Sequence, residues 1–310
     1  MTELVDRVTI REVGPRDGLQ AEEPLPVDRR IELLDALATC GFPAIEAVSF
    51  VSPTAVPAMA DAAAVWAGHR KAEGVRYSAL VPNRRGAEAA VEAGGFHALQ
   101  AFIGAADGYN RKNVGKSVEE SFADVEAVIA VGAQARIPVE VSVSAAFGDP
   151  FDGDVAPEQV AQVSSRLLDL GAGGISLGDT TGMATPRHVW ATVGLLAERF
   201  GELSPNLHFH DTRGAALTNV FAALQIGVTS FDSSVGGIGG SPFAPGTPGG
   251  NVATEDLVHL LTDMGIDTGV DLDRVIEASR LLARMLGRPL PGKVSAAGPR
   301  WALADPDRGV

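Results

Sequence analysis

The chain has 310 residues, 45% of them hydrophobic and 21% charged, and a formal net charge of −14. That balance supplies a core, and the negative charge argues against a nucleic-acid or anionic-membrane partner. No apolar run reaches the roughly 18 residues of a membrane span. The opening Met1-Thr2-Glu3-Leu4-Val5-Asp6 is too acidic for a signal peptide, and a single cysteine, Cys40, excludes an internal disulfide framework. A cytoplasmic protein is expected.

In chain order, β-branched apolar runs recur at residues 8–13, 44–50, 76–81, 98–103, 139–143, 174–177, 207–210 and 230–235. Helix-compatible stretches alternate with them, at 29–39, 56–66, 85–92, 118–135, 157–170, 186–200, 215–226 and 254–264. Ser117 and the first-turn prolines Pro157 and Pro186 mark helix starts. Gly41, Gly94, Gly171 and Gly227 stand where helices should stop in a left-handed cap. Eight such units predict an α/β fold, a closed (β/α)8 TIM barrel. An open doubly wound sheet competes less well, because no glycine-rich phosphate fingerprint follows the first strand. Residues 271–286 predict an additional C-terminal helix. The barrel is expected to be one domain over 1–295, with 296–310 a disordered tail.

The polar residues fall after the strands, where barrel enzymes keep their chemistry. His208 and His210, two apart on an extended strand, face the same side and can grip one divalent ion. Asp17, after the first strand, is placed to complete the grip. Glu46 reads either as a carboxylate satisfied by an arginine inside the barrel or as a catalytic group. Asp179 reads as a helix cap or a site residue. The glycine- and proline-rich loop 236–250 reads as a flap or a solvated linker. His69, His97, His188 and His259 fall away from this cluster, and Cys40 reads as a small buried hydrophobe.

Taken as a set, several segments resemble 3-hydroxy-3-methylglutaryl-CoA lyases, within the wider metal-dependent lyase and synthase barrels. They are Glu12-Val13-Gly14-Pro15-Arg16-Asp17-Gly18-Leu19-Gln20, Ile45-Glu46-Ala47-Val48-Ser49-Phe50, Lys112-Asn113, Glu119-Glu120-Ser121-Phe122, Ser176-Leu177-Gly178-Asp179-Thr180-Thr181-Gly182, His208-Phe209-His210-Asp211-Thr212 and Gly249-Gly250-Asn251-Val252-Ala253-Thr254. The resemblance implies an Mg²⁺- or Mn²⁺-type ion on Asp17, His208, His210 and Asn251. It implies carbon–carbon cleavage of a 3-hydroxy-acyl-CoA or related hydroxy acid, giving acetyl-CoA and a keto acid. Arg16 would stabilise the enolate, Asp17 or His208 would act as base, and Glu46 would orient Arg16. Gln20, Ser142, Ser144 and Thr180 would meet the substrate, and Arg288 and Lys293 the CoA phosphates. A homodimer is also implied.

The chain departs from the pattern in two places. Ser241 stands where the family's flexible loop carries a cysteine that donates a proton to the enolate, and a hydroxyl is the weaker acid. On the fifth strand, Ser142 replaces a tyrosine, Glu140 a basic residue, and Ala145 and Asp149 cysteines. The exchange at 142 predicts room for a bulkier substituent on the hydroxyl-bearing carbon. Three other readings stand behind the lyase. A Claisen-type synthase usually carries a further C-terminal region. An amidohydrolase-type zinc enzyme would place its histidine pair on the first strand. A metal-binding pseudoenzyme would explain the lost cysteine, but not the intact Arg16, Asp17, Glu46, His208, His210 and Asn251.

Overall fold

The structure is a computed structural model describing residues 4–201, 203–240 and 250–304. Its strands are β1 (Thr9–Glu12), β2 (Ala44–Ser49), β3 (Arg76–Leu80), β4 (Ala98–Gly104), β5 (Val139–Ser144), β6 (Gly174–Asp179), β7 (Asn206–Phe209) and β8 (Ser230–Ser233). They pair in parallel, in sequence order, and β8 closes on β1 through Thr9–Ser230 to Glu12–Ser233. Closure leaves no free strand edge among the described residues. Ile10, Ile45, Leu99, Val141, Leu207 and Phe231 are fully buried in the layer between strands and helices.

The helices are α1 (Val27–Ala38), α2 (Ala62–Gly68), α3 (Arg84–Ala93), α4 (Asp107–Val114), α5 (Val118–Ala135), α6 (Pro157–Asp169), α7 (Pro186–Phe200), α8 (Ala216–Leu224), α9 (Thr254–Asp263), α10 (Leu272–Leu286) and α11 (Val294–Ala297). Local chemistry sets their ends. Ser117 and Glu120 form a reciprocal capping box on α5, and the side chains of Asn83 and Asp271 accept backbone N–H groups at the starts of α3 and α10. Gly41, Gly94, Gly171 and Gly227 all have positive φ, as their positions required. No helix among the described residues is long and apolar enough to cross a membrane.

Three segments differ from the sequence reading. The expected helix over 56–66 is broken into a 3₁₀ turn, Pro57–Met59, and α2, because Asp61 between them is left-handed at φ 57°. Helix α4 was not expected, since Gly108, Asn110 and Asn113 are poor helix formers. Tertiary contacts hold it instead: Asp152 and Asp149 accept the backbone N–H groups of Gly108 and Tyr109 at 2.6 and 2.7 Å. The tail does not begin as disordered chain, because Arg300–Ala304 forms a 3₁₀ turn.

Candidate metal centre

The residues after β1 form a single wide helical turn, Gly14–Gly18, which swings Arg16 and Asp17 over the barrel mouth. Wide turns of this kind recur at functional sites. Beyond β7, residues 250–252 pair with the strand's continuation: Asp211 N–H donates to Gly250 O at 2.7 Å and Val252 N–H to Phe209 O at 3.0 Å. That pairing sets Asn251 opposite His210. Gly239 lies so close that a β-carbon there would collide with the Asn251 side chain, so the strand-eight loop leaves the barrel pressed against this residue. The β2–β3 pairing shifts register between Glu46 and Val48, a bulge beside the site that re-aims Glu46.

These elements bring the sequence-predicted groups together. Ligand atoms of Asp17, His208 and His210 lie within 4.8 Å of one another. His208 Nε2 is 3.1 Å from His210 Nε2 and 3.9 Å from Asp17 Oδ2. Asn251 donates through Nδ2 to Asp17 Oδ2 at 2.7 Å, while its buried Oδ1 has no partner among the described residues. Two imidazole nitrogens facing each other, a carboxylate and an unpartnered amide oxygen form a mixed nitrogen and oxygen donor set suited to a divalent ion. The residues fit such an ion. Arg16 bonds Glu46 through Nε and Asp17 Oδ1 through Nη1 at 2.6 Å, and Gln20 donates to the same oxygen at 2.9 Å. The sequence left Glu46 with two readings, and the geometry pairs it with an arginine inside the site.

Burial alone would push the Asp17 carboxyl up, but Arg16, His208 and His210 outweigh it and hold it at about 2. The two histidines diverge. Burial and the neighbouring His208 push His210 down to about 3. His208 is raised, because its contact with Asp232 and the charges of Asp17 and Asp232 overcome burial.

The remaining expected residues separate into near and far. Thr180 Oγ1 accepts Ala145 N–H at 3.0 Å, and a β-carbon on Gly178 would lie 3.5–3.6 Å from Thr180 Oγ1 and Ser142 Oγ. Ser142, Thr180 and the buried Ser144 therefore share one wall of the barrel mouth. Asp179 does not cap α7. Its Oδ1 instead accepts Met183 and Ala184 N–H at 2.7 and 2.9 Å, shaping the turn before that helix. Lys293 sits with Asp211, Asp256 and Pro291 on a cavity of about 160 Å³ that reaches Asn251. Arg288 does not line that cavity; it is exposed and paired with Glu22 at 2.5 Å. Ser241 lies outside the described residues.

The sequence reading missed Asp232, Arg11 and Tyr109. Asp232 faces His208 Nδ1 at 3.1 Å. The one sequence signal was a pair of opposite charges, Arg11 on β1 and Asp232 on β8, which only barrel closure makes neighbours. Tyr109, buried on α4, hydrogen-bonds Thr180 and feels the charges of Asp17 and Arg16; burial pushes its phenol above the usual range. Its place depends on a helix that propensity does not foretell.

The geometry has close counterparts. A family model described as HMGL-like matches residues 7–282. The chain is 43% identical to the hydroxymethylglutaryl-CoA lyase YngG of Bacillus subtilis, over 93% of this chain and 96% of that one. It is 44% identical to the (R)-citramalyl-CoA lyase of Chloroflexus aurantiacus, over 95% and 96%. A solved HMG-CoA lyase of Acinetobacter baumannii, in complex with coenzyme A and 3-methylmalate, superimposes with a TM-score of 0.91 at 40% identity, covering 97% of this chain and 98% of that one.

Proposed function

The chain belongs to the HMGL-like family, and from that premise we propose that it is a divalent-metal-dependent carbon–carbon lyase. Its substrate is a 3-hydroxy-acyl-CoA with an acid arm, of the 3-hydroxy-3-methylglutaryl-CoA type, and its products are acetyl-CoA and a keto acid. The observation that carries this reading is the convergence of Asp17, His208, His210 and the unpartnered Asn251 oxygen beside an arginine held by Glu46.

When bound, an Mg²⁺ or Mn²⁺ ion on Asp17, His208, His210 and Asn251 acidifies the substrate hydroxyl as a Lewis acid. The chain's own groups then divide the work. Asp17 or His208 accepts the hydroxyl proton; the imidazole lies between Asp232 on one side and the Asp17–His210 cluster on the other. A carboxylate held near 2 is a weak base, so it serves only a hydroxyl that has been acidified. The bond between the hydroxyl-bearing carbon and the α-carbon of the thioester breaks. The oxygen's electron pair becomes the ketone, and the bonding pair becomes the thioester enolate. Arg16 stays rigid between Glu46 and Asp17 and has N–H groups beyond those two bonds to meet the enolate oxygen. A proton passed to the enolate carbon through Ser241 or water completes acetyl-CoA, and the proton taken from the substrate hydroxyl replaces it, so that no alkoxide is left.

The test is product detection by mass spectrometry with Mn²⁺ present. The panel contains 3-hydroxy-3-methylglutaryl-CoA, its longer 3-alkyl homologues, citramalyl-CoA and the free acids. Acetyl-CoA release that His210→Ala lowers by about 10³-fold or more supports the proposal. Silence across the panel with Mn²⁺ demonstrably bound would sink it.

A further inference from the structure

Beneath the metal cluster the barrel interior is charged, where branched aliphatic side chains usually fill such barrels. Arg11 on β1, Asp232 on β8 and His208 on β7 are lateral neighbours in the sheet, through the register pairs Arg11–Asp232 and His208–Asp232. Asp232 Oδ1 accepts Arg11 Nε and Asn206 Nδ2, both at 2.8 Å. Its Oδ2 accepts Arg11 Nη2 at 2.9 Å and faces His208 Nδ1 at 3.1 Å. Arg11 continues the chain through Nη1 to Glu140 at 3.0 Å, and Gln100 donates to the same Glu140 oxygen at 2.6 Å.

We propose that Asp232, locked by Arg11, is the positioning residue that fixes the tautomer and direction of His208 for the ion. The inference rests on the metal site proposed above. The two oxygens of a carboxylate offer about four acceptor sites. Three are taken by N–H donors that never accept, and the fourth faces His208. Between an ionised carboxylate and a ring nitrogen, only Nδ1–H is stable, so the lone pair sits on Nε2, the nitrogen aimed at Asp17 and His210. Arg11 keeps the carboxylate from turning, because its bidentate fork allows one orientation. His210 has no such brace: its Nδ1 is buried without a partner among the described residues. A buried Arg–Asp pair is poor evidence for added stability, since apolar side chains often do as well there. Its use here is geometric.

Calorimetry with MnCl₂ and ¹⁵N NMR of the metal-free protein test this together. Asp232→Asn keeps the shape and is expected to weaken Mn²⁺ binding by about 10–100-fold, the usual cost of losing such a partner. The parent His208 should show the Nδ1–H tautomer, and the variant a mixture. Placed on His208→Ala, Asp232→Asn should add no further loss, because its effect runs through that ring. If Asp232→Asn fails to fold, Glu140→Gln reads the same chain from its far end. It is expected to cost on the order of twofold to fivefold in Mn²⁺ affinity, as a partly exposed pair does. Unchanged Mn²⁺ affinity in Asp232→Asn, or an equal loss on the His208→Ala background, overturns the inference. A parent that takes up no Mn²⁺ overturns the metal reading instead, and the tautomer spectrum still decides the role of Asp232.

Discussion

Two sides of one barrel mouth are built on different principles. The side formed by β1, β2, β7 and the chain at Asn251 is charged and cross-braced: Arg16 bonds Glu46 and Asp17, Asn251 bonds Asp17, and His208 stands 3.1 Å from Asp232 and 3.9 Å from Asp17. The side formed by β5, β6 and α4 is made of hydroxyls, Ser142, Ser144, Thr180 and Tyr109, on a frame of backbone hydrogen bonds. Charges that lock one another tolerate little change, because removing one leaves its partner buried and unpaired. Hydroxyls can be exchanged at lower cost, so this is where substrate preference has room to move. We propose that the difference separates reaction class, held by the charged side, from substrate choice, held by the hydroxyl side.

The largest expected effect breaks the charged side. Arg16→Gln removes the group between Glu46 and Asp17, and kcat should fall by about 10²–10³-fold with KM nearly unchanged, since enolate charge exists only after bond cleavage begins. A loss confined to KM would place Arg16 in ground-state binding instead. The next effect is on pH. His208 is raised above its ordinary value of 6.5 in the metal-free protein, so below its folded pKa an incoming ion must displace a proton. Mn²⁺ affinity should therefore fall by about tenfold per pH unit below that pKa and level off above it. The same raised group stabilises the metal-free fold fully below its unfolded pKa, and that contribution fades as pH rises through the folded one. The rise in Tm on adding Mn²⁺ should accordingly grow with pH, which a thermal melt series with and without the ion measures. A shift independent of pH would contradict this account.

How much of this was legible in the sequence follows the same division. The barrel could be read because short apolar runs alternate with helix-compatible stretches, several of which carry their own start or stop signals; the limits of α5 and α7 agree to the residue. Asp17, His208 and His210 could be read because strand periodicity alone puts the two imidazoles on one face. From its own strand Glu46 could be located but not assigned, and only the family resemblance paired it with Arg16, because that partner is reached through the wide turn after β1. Asp232 was hidden by barrel closure, a contact between residues more than two hundred positions apart. Tyr109 was hidden by helix α4, whose Gly and Asn residues argue against a helix until Asp149 and Asp152 receive its first N–H groups. Asp149 had been noted only as a departure from a family pattern, and its carboxylate organises the hydroxyl side.

Sharpening the comparison on that hydroxyl side calls for a gain as well as a loss. Ser142→Tyr should narrow the mouth and shift preference among 3-alkyl substrates toward the smallest, by roughly tenfold in relative kcat/KM for a substituent one methylene longer. Mn²⁺ affinity should stay as in the parent, because Ser142 touches none of the ligands named above. A parent that already prefers the methyl substrate over every larger homologue would end the idea that Ser142 makes room.

The smallest effect is the most discriminating. Tyr109→Phe deletes one hydroxyl and leaves the buried ring in place. Thr180 keeps its anchor, since Ala145 N–H still donates to it at 3.0 Å, so the wall should not collapse. If the phenol does no more than close that hydrogen bond, the variant loses a little stability, about 1 kcal/mol, and its kinetics are those of the parent. If the phenol also meets the substrate, KM rises about fivefold while Mn²⁺ affinity and the pH profile of metal uptake stay fixed. Burial keeps this phenol protonated well above neutral pH, which makes it a hydrogen-bond donor and not a base, so no new limb should enter the pH–rate profile. A change in metal affinity on removing one oxygen from α4 would show that the two sides are coupled, and that the separation of reaction class from substrate choice is wrong.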